Sequence, residues 1–515
     1  MDWIAVSVFI ALFLFVAWLG FAAAKWRAGD MDQLHEWGLG GRRFGTFVTW
    51  FLLGGDLYTA YTFIAVPALV YGAGALGFFA VPYTILIYPI LYLIFPRLWA
   101  EGRRMGYVTA ADFVRGRFDN RWLGLAVGLT GIVATMPYIA LQLVGMQVVI
   151  GALGFPSTGI WSEVPLIIAF LVLALFTYSS GLRAPAMIAV VKDCLIYITV
   201  IAAIIVIPMQ LGGFDKVFNL VDAKKVLLAA PPGNGVLGAY GAYATLALGS
   251  AMALFLYPHS FTAILSSSDS KVIRRNAAIL PAYSLVLGFL ALLGFMAIAM
   301  GVSALPEFAD GFKTYKNNFA VPALFLHVFP GWFVGIAFAA IAIGALVPAA
   351  IMSIATANIY TRTIYREFIN PNCTDAQEAS MAKLASLVVK IGALVFIFTL
   401  DLPFALQLQL LGGVWMIQIA PSLVLPLYVK WLNGWALLIG WAAGTAVGTV
   451  LAYWANFTPM FTISIPGVLT SPVYHAISSL VVNLVVTLAL SPVFNTMFGR
   501  DEPVPAKLGG PMGAH

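Results

Sequence analysis

The stretch from Trp50 to Gly74, WFLLGGDLYTAYTFIAVPALVYGAG, limits what this chain can fold into more than any other. It is apolar enough to enter a bilayer, yet poorly suited to one plain helix. Gly54 and Gly55 weaken a helix near its start, Asp56 follows at once, and Pro67 removes a backbone donor further on. Lipid tolerates loosened backbone and a carboxyl group only where protein or a water-filled cavity covers them. The stretch therefore predicts a discontinuous helix whose freed backbone and polar side chains build a solute or ion site near mid-membrane. The competing reading is a kinked packing helix with small residues at its contacts.

Composition places the rest of the chain in the same setting. Of 515 residues, 62% are hydrophobic and 9% charged, where a soluble protein would carry about a quarter charged. This is the composition of an all-α polytopic membrane protein. The formal charge of +6 does not indicate nucleic acid, because the basic residues fall in short loops between apolar spans. Cys194 and Cys373 give no disulfide framework. The first apolar run, 3–24, is long enough to span and reads as a retained helix rather than a cleaved signal.

Thirteen spans are expected, at roughly 3–24, 46–71, 75–96, 122–152, 162–180, 184–208, 238–264, 277–302, 331–361, 381–400, 402–428, 431–455 and 473–497. With this count, twenty of the 27 Lys and Arg residues fall in loops on one side and five on the other, leaving Lys192 and Lys390 inside spans. By the positive-inside rule the N-terminus lies outside and the C-terminus inside. Segments 209–237 and 303–330 have room for short surface helices, and the Gly/Pro-rich tail after Arg500 reads as disordered.

The span from Gly238 to Leu265 repeats the theme: Gly249 and Ser250 loosen its middle and Pro258-His259 interrupts it. It is the seventh span, five after the first broken one. That spacing predicts two five-helix units, each opening on an interrupted helix, as in an inverted-repeat transporter. The expected divisions are 1–45 (first helix and loop), 46–208 (first repeat), 209–428 (second repeat), 429–497 (two peripheral helices) and 498–515 (tail). His259 is either a site residue or a capped polar group at the break.

These features together resemble the solute–sodium symporter family over nearly the whole chain. The resemblance rests on the thirteen-span plan, GGDLYTAYTFIAVPALVYGAG, Tyr138-x-x-x-Gln142, Pro258-His259, and Lys192-Asp193 where the family usually has Thr-Asp. GLRAPAMIAVVKD and GALVPAAIMSIATANIYTRTIY look most like the bacterial monocarboxylate permease branch, associated with lactate, pyruvate and similar short acids. The resemblance implies a LeuT-like inverted repeat of 5+5 helices with flanking helices, in a bacterial cytoplasmic membrane. It also implies secondary active uptake of a small monocarboxylate by alternating access. No organic cofactor is expected, the coupling ion is Na+ or H+, and a small membrane partner subunit is compatible with the sequence. The rival reading is a Na+-coupled symporter of another small organic solute, such as an amino acid or pantothenate.

In the family, sodium sits between the break of the second helix and the ninth helix. The resemblance carries the two backbone carbonyls to Gly55 and Tyr58, and the ninth-helix ligands to Gly344, Val347 and Pro348. Valine and proline have no hydroxyl to offer, so the sodium site is in question. Lys192 offers an explanation: its ammonium group, next to Asp193, would take the cation's place on carbonyls such as that of Gly55 and load and release a proton. The alternative is that Lys192 snorkels to the membrane face and pairs with Asp193. A slip of about two turns in the ninth-helix register would bring Ser353 and Thr356 into play instead. Asp56 would attract a cation, carry the proton, or hold the loosened helix. Lys390 reads as snorkelling.

For the solute, the candidates are Thr59, Thr62, Tyr138, Gln142, His259, Gln407 and Gln409, near two helix breaks whose N-termini favour a carboxylate. Each serves equally well as a helix–helix hydrogen bond. The five histidines are scattered without metal-ligand spacing, so neither an enzyme nor a metal centre is expected. A channel would want a filter sequence, and none is seen.

Overall fold

The computed structural model describes residues 1–26, 29–156, 160–231, 233, 235–399 and 402–499, with all their side chains except those at 61, 160–162, 399, 402–408 and 498. The elements that position the site are helices α1 (Trp3–Ala22), α2 (Thr46–Leu57), α3 (Val66–Ala73), α4 (Ala80–Leu93), α5 (Arg121–Ala152), α6 (Ile160–Ser180), α7 (Arg183–Leu211) and α8 (Ala239–Leu254). They continue with α9 (Pro258–Leu265), α10 (Ser270–Ala299), α11 (Gly331–Ile359), α12 (Asp375–Thr399), α13 (Leu402–Met416), α14 (Gly434–Trp454) and α15 (His475–Phe498). Polar caps set several starts: Asp2, Asn120, Asp269 and Asn433 each accept from backbone N–H groups of the first turn.

Among the described residues, eleven helices are long and apolar enough to cross a membrane, and the bent pair α8–α9 makes twelve. The chain is an integral multi-pass protein. The thirteen expected spans are compatible with this, because α2 is short and Thr62–Leu93 counts as one apolar stretch although it is not one rod. Gly74 turns it sharply, at φ 66° and ψ −139°, a conformation open to glycine. Gly77 then packs against Val70, where a Cβ would lie 2.6 Å from the valine side chain.

Both expected breaks occur, each a few residues beyond the glycines. Helix α2 runs unbroken through Gly54, Gly55 and Asp56 and ends at Tyr58, with ψ 87°. A π-helical turn over Tyr61–Ala65 leads into α3, whose first turn holds Pro67, where a missing N–H costs nothing. Likewise α8 passes through Gly249 and Ser250, and the break falls at 255–257, just before Pro258 opens α9. The two halves meet at 50°. The glycines serve packing instead: a Cβ at Gly54 would lie 2.9 Å from the Tyr283 ring, and one at Gly249 would lie 2.6 Å from Tyr474.

Helix α11 is the axis of the bundle, 94% buried over its central window, against 22% for α1 and 28% for α12 and α15. A polar seam ties α15 to Gln418, just after α13, and to Asn433, the cap of α14. Gln418 Nε2 donates to Ser479 Oγ at 2.9 Å, Asn483 Nδ2 donates to Gln418 Oε1 at 3.1 Å, and Asn433 Nδ2 donates to Asn495 Oδ1 at 3.3 Å. Between α14 and α15 lies an antiparallel hairpin absent from the sequence-based reading, β1 (Met460–Ile465) and β2 (Leu469–Tyr474), in register Met460↔Tyr474 to Ile465↔Leu469. Its turn uses Gly467 at φ 74°. Short helices occupy the two long connecting segments, at Phe214–Leu220, Ala223–Val226, Ala309–Tyr315 and Ala320–Val328. The tail from Arg500 lies outside the described residues.

Candidate functional site

Because α2 stops at Leu57, the carbonyls of Gly55 and Tyr58 have no helical donor four residues on along a continuous helix, and they turn toward α7. The fully buried side chain of Lys192 meets them: Nζ donates to Gly55 O at 2.5 Å and to Tyr58 O at 3.1 Å, and lies 3.0 Å from Asp193 Oδ1. The ammonium is thus held by two carbonyls and a carboxylate inside the bundle, and does not reach a membrane face. Gly55 permits this approach, since a Cβ there would lie 2.8 Å from Nζ. From α11, Gly344 faces the same point, with a Cβ position 3.8 Å from Tyr58 O. Val347 is buried in the same helix.

Ser353 faces elsewhere: its hydroxyl donates to Ala350 O at 2.8 Å and receives Ser386 Oγ of α12 at 3.3 Å. Lys390 completes that second cluster, donating to Ser386 Oγ at 2.7 Å. It is 3% exposed, which overturns the expectation that it snorkels. Helix α12 begins at Asp375 rather than 381, so Lys390 lies about 22 Å along it at 1.5 Å per residue.

The two breaks meet at Asp56. Ser260, in the first turn of α9, donates to Asp56 Oδ2 at 2.6 Å, and His259 Nε2 lies 3.6 Å from the same oxygen. Asp56 Oδ1 and both ring nitrogens of His259 are buried with no hydrogen-bond partner. The rings of Tyr138 and Tyr257 cover His259, with centroids at 5.2 and 5.5 Å. Beyond them the larger of two clefts is lined by Tyr83, Ser250, Gln409 and Tyr474 as well as the two tyrosines. A second, smaller cleft reaches Leu256 and Pro258 from the side of Thr109, Gly128 and Ile359. Tyr138 and Tyr257, whose rings lie over His259, line the first cleft, and Pro258, the residue before His259, lines the second.

The remaining candidates divide. Gln142 Oε1 accepts from Ala60 N at 3.1 Å and its Nε2 donates to Tyr138 O at 3.4 Å, so it pins the unwound segment. Thr62 Oγ1 donates to Thr59 O and accepts from Thr59 N, both at 2.9 Å, closing a local loop in place of the lost helical turn. Gln409 Oε1 is buried without a partner beside the larger cleft. The Gln407 side chain lies outside the described residues. Ser260 was missed in the sequence, although a hydroxyl two residues after a helix-breaking proline was a readable signal. Tyr283 was missed as well: its carbonyl accepts from the Tyr58 hydroxyl and its ring stacks on Tyr58 at 4.3 Å.

One end of α9 is held by cations. The buried Arg42 donates to Leu265 O at 3.4 Å, to Gly102 O at 3.5 Å and to Tyr107 O. Trp99 Nε1 donates to Ser267 O at 2.8 Å, and Arg103 Nη1 donates to Ser268 O at 3.2 Å. Positive groups at a helix C-terminus satisfy its last carbonyls and suit its dipole. Burial, then the charges of Arg103 and Arg362, lower the Arg42 pKa to about 10. Nearby, Glu36 joins Arg183, at the start of α7, to Arg43, the latter at 2.7 Å.

The chain is similar to known proteins over nearly its whole length. Residues 37–444 match the model of the Sodium:solute symporter family. A "Monocarboxylate transport permease protein" of Rhizobium johnstonii is 52% identical over 505 residues, covering 98% of each chain. Symporter YodF of Bacillus subtilis is 30% identical, covering 98% of this chain and 96% of its own. "Sodium/proline symporter 2" of Staphylococcus saprophyticus is 23% identical over 91% of both. Among solved structures, a Na+-coupled sialic acid symporter in a substrate-bound outward-open state superposes with TM-score 0.77 at 16% identity, covering 95% of this chain and 98% of that one. The likeness gives the fold, the LeuT-like arrangement expected from the sequence.

Proposed function

Because the chain belongs to the sodium:solute symporter family, we propose that it takes up small monocarboxylates such as lactate or pyruvate by alternating access, driven by protons rather than sodium. The solute class is supported by the 52% identical relative named as a monocarboxylate permease. The observation that carries the coupling is the Lys192 ammonium on Gly55 O and Tyr58 O, the carbonyls on which a cation would sit. Val347 and Pro348, the positions of α11 to which the resemblance carries the family's hydroxyl ligands, have no hydroxyl to offer. Under this coupling Lys192 would be the group that takes up the proton on one side and gives it up on the other. Loss of the proton would weaken the hold on the two carbonyls and leave Asp193 without its counter-charge, which would couple protonation to the packing of α2 against α7.

We further read residues 46–208 and 209–428 as the two repeats, with α14 and α15 as peripheral helices. The loop charges favour an N-terminus outside and a C-terminus inside a bacterial cytoplasmic membrane.

The test is uptake of labelled lactate or pyruvate into proteoliposomes. One arm has a sodium gradient at equal pH, the other a pH gradient without sodium. Uptake driven by the pH gradient alone is expected. A requirement for sodium would overturn the role given to Lys192. Uptake in neither arm, from a preparation active with another solute such as proline, would overturn the monocarboxylate reading.

A further inference from the structure

The geometry points to His259 and Asp56 as a two-point reader of 2-hydroxy monocarboxylates, in which the imidazole takes the carboxylate and the free oxygen of Asp56 takes the 2-hydroxyl. The inference rests on the monocarboxylate reading and gives it a substrate preference.

Buried polar atoms in folded proteins almost always have partners. Here three atoms in one layer lack them: Asp56 Oδ1, His259 Nδ1 and His259 Nε2. They belong to two different broken helices, and Ser260 fixes the carboxylate by donating to its other oxygen, Oδ2, at 2.6 Å. Asp56 thus has one oxygen committed and one left as an acceptor. The rings of Tyr138 and Tyr257 lie over His259 and also line the larger cleft, so the unpaired atoms are one aromatic layer below its floor. Apolar rings with a few fixed polar groups are what a small, partly apolar acid requires.

The donor and acceptor pattern decides which acid. An imidazole offers at least one N–H donor to a carboxylate, even when the ring is neutral. An ionised Asp56 offers only an acceptor, so it favours a neighbouring hydroxyl, offers nothing to a plain methylene, and opposes the lone pairs of a 2-oxo group. Its negative charge also disfavours a second carboxylate on the solute. Hydrogen bonds to charged groups are strong enough for a preference of about tenfold.

The experiment uses the full chain in proteoliposomes, with lactate, pyruvate and propionate competing for labelled lactate uptake, and thermal stabilisation of the purified protein by each acid. Wild type is expected to bind lactate about tenfold more tightly than propionate. Asp56→Asn keeps the shape; with its carbonyl oxygen held by Ser260, the free atom becomes an N–H donor. The preference should then move from lactate toward pyruvate. His259→Gln should weaken all three acids together and leave their ratios unchanged. Equal stabilisation of wild type by lactate and propionate would overturn the reader, whether or not the variants fold. So would an equal loss for all three acids in Asp56→Asn. No stabilisation of wild type by any of the three would remove the monocarboxylate reading, and the reader with it.

Discussion

The Gln142 carboxamide oxygen accepts the backbone N–H of Ala60 at 3.1 Å, so a side chain of α5 takes the place of the carbonyl that the broken second span lost. The break is therefore a satisfied structure, held from outside its own helix. Gln142→Leu leaves that N–H buried and unpaired, which costs about 1–3 kcal/mol. A lower thermal midpoint and reduced uptake are expected, with Gln142→Glu recovering less than full activity. An unchanged midpoint in the leucine variant would show that the segment finds another partner.

Lys192→Arg separates charge from titration. Arginine keeps a positive group near Gly55 O and Tyr58 O but does not release its proton at working pH. Uptake driven by a pH gradient should fall at least tenfold, by the size of typical coupling energies, while solute-induced thermal stabilisation persists. Full pH-driven uptake by this variant would remove Lys192 from the coupling.

Gly55→Ala tests the same contact from the other side. Its methyl would lie 2.8 Å from Lys192 Nζ and 3.2 Å from Asp193 Oδ2. Overpacking of this kind costs about 1–3 kcal/mol. Reduced stability and slower uptake are expected, and a wild-type melting curve would mean that Lys192 moves aside freely.

Lys390→Met replaces a buried amine by an apolar chain of similar length. No carboxylate pairs with Lys390 among the described residues, so removing the amine relieves a desolvation cost. A thermal midpoint equal to or above wild type, and uptake within about twofold, are expected from changes of this class. A loss of pH-driven uptake would instead make Lys390 part of the proton path.

Arg42→Ala removes the donor to Leu265 O, Gly102 O and Tyr107 O. A cysteine at Ala110, beside the second cleft, should then be modified about tenfold faster in a Cys194- and Cys373-free background, the change expected for loss of a charged hydrogen bond. With its pKa lowered only to about 10, Arg42 stays charged between pH 6 and 8. The Arg42 hydrogen bonds should therefore be equally strong across that range, and any pH dependence of uptake there must come from other groups. The loss of charge, as pH rises through about 10, removes the cost of burying it together with the charge-assisted strength of these bonds.

The existence of both breaks was legible because glycine, proline and buried polar residues are poor material for a spanning helix. The second break falls directly before Pro258, where the sequence placed an interruption; the glycines misled, because Gly54, Gly55 and Gly249 answer to neighbours that only the folded bundle supplies: Tyr283, Lys192 and Tyr474. The Lys192-Asp193 pair was legible as a departure from the family's Thr-Asp, and its distances fit that reading. Lys390 was misread because α12 starts six residues before the expected span. The β1–β2 hairpin was missed because TISI and its partner are short and lie in what reads as a connection. Ser260 and Tyr283 went unnoticed because neither hydroxyl-bearing residue stands out until α9 and α10 are packed against α2.

A sodium ion bound to Gly55 O and Tyr58 O could depart and be replaced from solution. The Lys192 ammonium is anchored to α7 by its own carbon chain, and under the proposed coupling only a proton leaves. One tethered amine carries one proton per turnover, and this sets a thermodynamic ceiling. Without a membrane voltage, the solute can be concentrated at most about tenfold for each unit of pH difference. Such a carrier suits an acid that is plentiful outside or consumed quickly within, and it works in surroundings that contain no sodium.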